Sequence, residues 1–493
     1  MTTKLASPTP LRGFQDLLPA DMSLRNEVTR RIAGVYQAYG YLPLDTPIAE
    51  RLTTLKGAGG DETDALIFTL QTPEGQKIGL RFDLTVPFAR IVANYHPHRI
   101  KLPFRRYHVG PVFRADAPQP EQGRYRQFTQ FDIDVAGSED VSADAEIVAV
   151  MCDAMASLTL SPSSDPEEPG YFIRINSRKL VDAALAGLGL TERHVVHHVL
   201  RVLDKLDKLP EDEVLKELQT GRVDSSGAFV DGLGLEEGTA TALLRFVKIR
   251  GWGRRDTLAQ LEANLPNTSA SAEAVNEMSL LLDHLDALGV EEHAVLLDAS
   301  LARGLEYYTG IVYEGTLSGS GVGSVIGGGR YDGLVSRFSN ERIPAVGASI
   351  GLDRLVAGLR TLNIPIVESG QAAVTLVLAT DPALQIEASR VAGELRRSGI
   401  PTELYTGEAI GKLAKALRYA NSRGFSVTVV VGPDELAGGY VSVKDLSRGK
   451  EERAQISARE TYRAAGRVGQ HQVNREDMPR AVMNIIKGVP SDE

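Results

Sequence analysis

Three groups of polar residues in this chain have the types and spacing to act together on a charged substrate. In FRADAPQPEQGRYRQFTQFDIDVAG (113–137), Arg114 and Asp116 close one predicted strand, and Arg124 and Arg126 open the next across a Pro/Gln/Gly loop. Two strands that turn guanidinium forks into one cleft suit the oxygens of a triphosphate, which such forks grip bidentately. Gln130, Asp132 and Asp134 alternate along the second strand and so share one face. Upstream, RFDLTVPFAR (81–90) reads as a strand with Asp83 and Thr85 on one face, a carboxylate and a hydroxyl able to hold an ammonium group. Taken singly, the same residues also suit a charged hairpin on a solvated sheet and a strand that ends where Pro87 stops pairing.

Further along, LARGLEYYTGIVYE (301–314) sets Arg303 four residues before the adjacent pair Tyr307 and Tyr308. GGGRYDG (327–333) follows and reads as a triple-glycine turn carrying Arg-Tyr-Asp. A fixed guanidinium can stabilise charge that builds on phosphoryl oxygens without transferring a proton. Alone, an arginine like Arg303 is an ordinary surface residue, and two tyrosines are ordinary strand packing. AVGASIGLDRLVAGL (345–359) is a glycine-rich strand running into a helix, with Arg354 near the junction.

The elements that must position these residues follow from periodicity. Residues 20–39 form an amphipathic helix with Val28, Ile32, Val35 and Tyr39 along one face, stopped by Gly40. YLPLDTPIAE is extended, since Pro43 and Pro47 block a helix. From about Lys77 to Ala136 short strand-like runs alternate with turns, which predicts consecutive antiparallel strands. Charged helical spacing takes over near residue 190 and lasts to about 288, with a loop at 267–271. Strands return from Ala294 to about Ser336, followed by the helix LDRLVAGLRTL and the linker NIPIVESGQ. VTLVLA and FSVTVVVG are then short β-branched runs typical of buried strands, with helices between them. The expected division is a first core segment 1–189, a helical insertion 190–291, a second core segment 292–362, and an α/β domain 371–493.

Bulk properties narrow the class. A chain of 493 residues is too long for one core. The single cysteine, Cys152, excludes an internal disulfide and a Cys-rich zinc site. No apolar run reaches the length of a membrane span, and MTTKLASPTP lacks an apolar signal core, so a cytoplasmic protein is expected. The net charge of −10 argues against coating nucleic acid through bulk charge. Residues 371–493 carry 17 basic and 15 acidic side chains, net +2, which leaves −12 on the rest and makes the C-terminal part the place for a polyanion. There Lys412, Lys415 and Arg418 recur every third residue, as a nucleic-acid stripe or a solvated face. His194, His197 and His198 read as helix-surface histidines and not as a metal site.

As a set, these blocks resemble those of histidyl-tRNA synthetases. RGLEYYTG and GGGRYDG resemble the two signature blocks peculiar to that family, and GFQDLLP (13–19) resembles its opening. Residues 113–137 resemble motif 2 of class II aminoacyl-tRNA synthetases, residues 345–359 motif 3, and the 20–39 helix with the Pro47 strand motif 1. The resemblance implies an α+β multidomain protein: a class II antiparallel-sheet catalytic core with a helical insertion, plus a C-terminal α/β anticodon-binding domain. It implies a histidine–tRNA ligase that activates histidine with ATP and charges histidine tRNA, which it meets at the acceptor end and the anticodon. Mg²⁺ would accompany ATP without a metal site of the protein's own, and the assembly would be a homodimer in the cytoplasm.

By the same resemblance Arg114 grips the ATP α-phosphate, Asp116 sits near the adenine, Arg354 lies against the γ-phosphate, and Arg303 stabilises the charge of the reacting phosphoryl group. Asp83, Thr85 and Gln130 take the substrate α-amine. Asp134 and Tyr308 satisfy the two ring nitrogens of an imidazole, with Tyr307 and the glycines 327–329 shaping the walls. Asp116 and Asp353 stand where glutamate is more usual in the class. The alternative is a non-catalytic relative that senses histidine as a regulatory subunit. Arg114, Arg303, Arg354 and the C-terminal domain stand against it.

Overall fold

The first helix forms over Pro19–Ala38 in the computed structural model, which describes residues 6–57, 60–163, 165, 168–206, 209–224, 227–301, 308–366, 375–407, 410–446 and 470–488. Proline at its start has the backbone angle a helix needs and no N–H to waste. Its fully buried stripe is Val28, Ile32 and Tyr36, one residue every four, while Val35 and Tyr39 pack only at the stripe's edges.

This helix packs against Ser142–Ser157, which lies on a nine-stranded sheet. The strand order is Leu42–Pro43, Phe104–Phe113, Gln127–Ala136, Ala345–Gly351, Ser324–Arg330, Ile311–Ser318, Gly170–Ser177, Val295–Asp298 and Arg250–Gly251. From Phe104–Phe113 to Gly170–Ser177 every neighbouring pair is antiparallel, as expected. Leu42–Pro43 and Val295–Asp298 are added in parallel at the flanks. Phe131, Ile133 and Val135 point into the apolar core, which turns Gln130, Asp132 and Asp134 to the opposite face.

Three local expectations are corrected. RFDLTVPFAR is not a strand: Thr85 opens the helix Thr85–Tyr95, and Asp83 Oδ1 accepts the Val86 N–H at 3.1 Å just ahead of it. Pro87 falls in that helix's first turn, where a missing N–H costs little. The glycines 327–329 are not a turn but the middle of the strand Ser324–Arg330. A Cβ on Gly328 would overlap the Gly347 carbonyl and the Tyr313 ring, and one on Gly329 would meet the Tyr308 ring at 2.8 Å. Finally, Arg114, Asp116, Arg124 and Arg126 lie just beyond the strand ends, where the hairpin continues as a loop held by Arg114 N–H to Arg126 O at 2.8 Å.

The chain divides into two compact units, Met1–Ile366 and Val367–Glu493. Within the first, the described residues of the region expected as a helical insertion include the helices Arg193–Leu203, Glu211–Leu218, Glu237–Val247, Arg254–Ala263 and Ser269–Ala287. It also holds the hairpin Gly221–Val223 with Phe229–Asp231 and lends Arg250–Gly251 to the large sheet. Leu200, Leu243 and Leu281 join the same apolar core as the sheet. The loop at 267–271 is shorter than expected, since Thr268 caps a helix that begins at Ser269.

The second unit has a five-stranded sheet in the order Thr402–Leu404, Thr375–Ala379, Val427–Val431, Tyr440–Asp445, Gln470–Asn474. Thr375–Ala379 and Val427–Val431 are parallel and buried throughout, as the VTLVLA and FSVTVVVG runs predict. Lys412, Lys415 and Arg418 are exposed at the start and along one side of the helix Leu413–Ser422.

Candidate active site

A cleft of about 320 Å³ opens over the antiparallel centre of the large sheet. Its lining includes Thr85, Arg114, Asp116, Gln130, Tyr308 and Arg354 of the residues singled out in the sequence. Arg303 and Tyr307 lie outside the described residues.

One end is basic. The Arg114 guanidinium stacks over the Phe128 ring at 5.1 Å and donates from Nε to the Phe82 carbonyl at 3.0 Å. Both contacts fix its plane. Asp116 is held by Arg124, with Nε to Oδ2 at 3.0 Å, so the loop carries its own ion pair into the cleft. Arg354 sits in the first turn of the helix Leu352–Thr361 and donates to the Ser324 carbonyl at 3.0 Å. Glu314 and Ser324 add a carboxylate and a hydroxyl to the same lining.

The other end is acidic. Gln130 donates from Nε2 to Ser349 Oγ at 2.8 Å, while its Oε1 is buried without a hydrogen-bond partner among the described residues. Farther along the same strand face, Asp132 and Asp134 are 1% and 2% exposed and do not reach the lining. Asp134 accepts from the Tyr331 hydroxyl and pairs with Arg106 at 2.7 Å. Arg106 is itself fully buried, its guanidinium 4.5 Å over the Phe88 ring and its Nη2 donating to the Leu84 carbonyl at 3.1 Å.

Burial sets the electrostatics of this end. It pushes the Asp83 carboxyl up to about 7, Asp132 up to about 6 and Asp134 up to about 8. Arg106 is the largest force pulling Asp132 and Asp134 back down, and Asp132 raises Asp134 further by like-charge repulsion. Three carboxyls thus compete for little positive charge, and a cationic ligand would relieve them.

Arg106 and Tyr331 are contributions the sequence reading did not assign. Arg106 stands directly opposite Asp134 in the antiparallel register, and Tyr331 follows the glycine strand that runs beside Ala345–Gly351. Arg330, from the same GGGRYDG block, instead pairs with buried Asp144 and donates to the Ser138 carbonyl at 2.8 Å, anchoring that strand to the helix Ser142–Ser157. Asp83 takes its place through the helix start and not through a shared strand face with Thr85. His194, His197 and His198 lie on one helix, and no group of three or more metal-ligating side chains occurs among the described residues.

A family model described as Histidyl-tRNA synthetase matches residues 13–355, and one described as Anticodon binding domain matches residues 371–462. The histidine–tRNA ligase of Paracoccus denitrificans (strain Pd 1222) is 38% identical over 96% of this chain and 97% of its own. That of Ruegeria pomeroyi is also 38% identical, over 98% of both chains. Among solved structures, histidyl-tRNA synthetase from Nostoc sp. PCC 7120 superposes with a TM-score of 0.75 at 29% identity, covering 98% of this chain and 100% of that one.

Proposed function

This chain belongs to the histidyl-tRNA synthetase family, and we propose that the two ends of its cleft divide the work of one reaction between them. It is a histidine–tRNA ligase: histidine and ATP give histidyl-adenylate and pyrophosphate, and the histidyl group then passes to the 3′-terminal adenosine of histidine tRNA with release of AMP. The observation that carries the division is the opposed chemistry around the cleft, guanidinium groups in the lining at one end and, beyond the lining at Gln130, the buried Asp132 and Asp134 with the half-buried Asp83.

At the acidic end Asp83, Thr85 and the unpartnered Gln130 Oε1 take the α-ammonium of histidine. The family resemblance assigns the imidazole N–H to Asp134, which lies beyond the lining and already holds Arg106 and Tyr331, and the other ring nitrogen to the Tyr308 hydroxyl. Arg106 and Tyr331 hold Asp134 for this task. At the basic end Arg114 grips the α-phosphate, Asp116 lies by the adenine and Arg354 by the γ-phosphate. A carboxylate oxygen of histidine attacks the α-phosphorus and the bond to the pyrophosphate oxygen breaks. Arg114 and Arg303 stabilise the charge that gathers on the phosphoryl oxygens, and neither has to move a proton.

Mg²⁺ would accompany ATP and supply charge neutralisation to its phosphates. The hard oxygen donors Glu314 and Ser324 line the cleft and suit such an ion, and it would neutralise charge on the departing pyrophosphate. In this reading the second unit contacts the anticodon, supported by its match to the anticodon-binding family and by the exposed Lys412, Lys415 and Arg418. The protein works in the cytoplasm as a homodimer assembled through the Pro19–Ala38 helix and the edge strand Leu42–Pro43, where Leu42 is exposed.

Amino-acid-dependent ATP–pyrophosphate exchange, run with every standard amino acid, tests the reading. Exchange with histidine alone is expected. Histidine binding without exchange would favour a regulatory subunit, and exchange with a different amino acid would keep the class and overturn the pocket.

A further inference from the structure

Asp353 precedes Arg354 in the first turn of the helix Leu352–Thr361, where a negative charge is favoured by the helix dipole. Its side chain is 4% exposed and uses both oxygens twice. Oδ1 accepts from Arg25 Nη1 and from Gln15 Nε2, both at 2.9 Å. Oδ2 accepts from Arg25 Nη2 at 3.1 Å and from the Thr129 backbone N–H at 2.7 Å. One carboxylate therefore ties together four stretches: the N-terminal GFQDLLP segment, the first helix, the strand Gln127–Ala136 and the helix that carries Arg354.

The loop between the two strands of the basic end rests on the same spot. Gly123, with φ of +67°, lies so close that a Cβ there would stand 2.9 Å from Arg354 Cα and 3.0 Å from the Asp353 carbonyl oxygen. Arg114 and Arg354 thus sit on elements whose mutual position is fixed through Asp353 and the peptide that follows it.

We propose that Arg25 and Asp353 form a positioning clamp, through which the N-terminal segment sets the register of Arg354 against the Arg114 hairpin for binding ATP. Asp353 borders the cleft, but its two oxygens are taken up by four donors, so it acts on ATP through Arg354 and not by direct contact. The clamp rests on the assignment of Arg354 to the ATP phosphates. Its buried, bidentate geometry restricts the guanidinium and the carboxylate to one arrangement, and small misplacements at a phosphate site are costly.

The test is histidine-dependent pyrophosphate exchange on the full-length chain, with histidine affinity measured separately by calorimetry. Arg25→Gln is expected to raise KM for ATP about tenfold or more, with a smaller fall in kcat and histidine affinity within about twofold. Arg25→Lys keeps the charge without the fork and should recover part of the loss. Gln15→Leu leaves the buried ion pair whole and removes one neutral hydrogen bond, so KM for ATP should rise about threefold in a stably folded variant. No rise in Gln15→Leu, or equal losses of ATP and histidine in Arg25→Gln, overturns the clamp. Arg354→Ala, run alongside, separates the two readings. If it leaves KM for ATP unchanged, the assignment of Arg354 falls; if it raises KM while Arg25→Gln does not, the clamp alone falls.

Discussion

At the basic end of the cleft, Asp353 accepts four hydrogen bonds and is matched by the Arg25 fork, whereas at the acidic end Asp83, Asp132 and Asp134 draw chiefly on Arg106 and Arg114. The difference separates scaffold from receptor. A buried carboxylate whose lone pairs are all filled has nothing left to offer a ligand, and its value lies in the elements it locks together. A cluster short of positive charge is costly to hold ionised, and it recovers that cost when an ammonium and an imidazole arrive. On the proposed assignment, the phosphate end is built rigid before substrate binds, and the amino-acid end is completed by the substrate itself.

The largest expected effect is at the rigid end. Arg114→Ala should lower the adenylation rate by about a hundredfold to a thousandfold, the usual cost of removing a fixed donor from developing charge. Histidine affinity, measured by calorimetry, should barely move. Asp134→Asn is the mirror experiment: histidine affinity should fall about tenfold to a hundredfold with KM for ATP nearly constant. If either substitution weakened both substrates equally, the two ends would not be separable.

Gly347 offers a steric way to disturb only the receptor. It pairs with Asp134 across the sheet, and a Cβ there would overlap Asp134 Oδ1 and come within 2.5 Å of the Ile133 carbonyl oxygen. Gly347→Ala should push the carboxylate off Tyr331 and Arg106. Overpacking of this kind costs about 1–3 kcal/mol of stability, readable in urea denaturation. Histidine affinity should drop with it, by less than in Asp134→Asn. Unchanged histidine affinity would mean that Asp134 does not need its present position.

The contrast was only partly legible in the sequence. The antiparallel centre and the face shared by Gln130, Asp132 and Asp134 follow from strict alternation with Phe131, Ile133 and Val135, a local pattern. The buried strands of the second unit are equally local. Arg106 was missed because its pairing with Asp134 depends on cross-strand register, which no local pattern specifies. In the sequence Asp353 stands out only as a shortened glutamate, since its partners Gln15 and Arg25 are more than 300 positions away. The glycines 327–329 predict a turn because glycine usually marks one, whereas in the fold Gly328 and Gly329 allow close packing against neighbouring backbone and rings. The helix start at Asp83–Thr85 does carry local signals, an aspartate three residues ahead of Val86 and a proline in the first turn.

The smallest effect, and the most specific to the receptor end, is in the pH dependence. Asp83, Asp132 and Asp134 are lifted from an ordinary value of 3.8 to about 7, 6 and 8. A carboxyl with a raised value binds its proton more tightly in the folded chain than in the unfolded one. The stability it contributes is therefore fully present below the ordinary value of 3.8 and is lost progressively as pH rises from there through the folded value. Without ligand, the melting temperature of the first unit should decline from about pH 4, most steeply up to about pH 6, and level off near pH 8, and histidine should restore more of it at the higher pH. Asp132→Asn removes the like charge that raises Asp134, so the decline should end at a lower pH and be smaller in total. Were the profile to stay in place in that variant, the three carboxyls would not be acting as one receptor for positive charge.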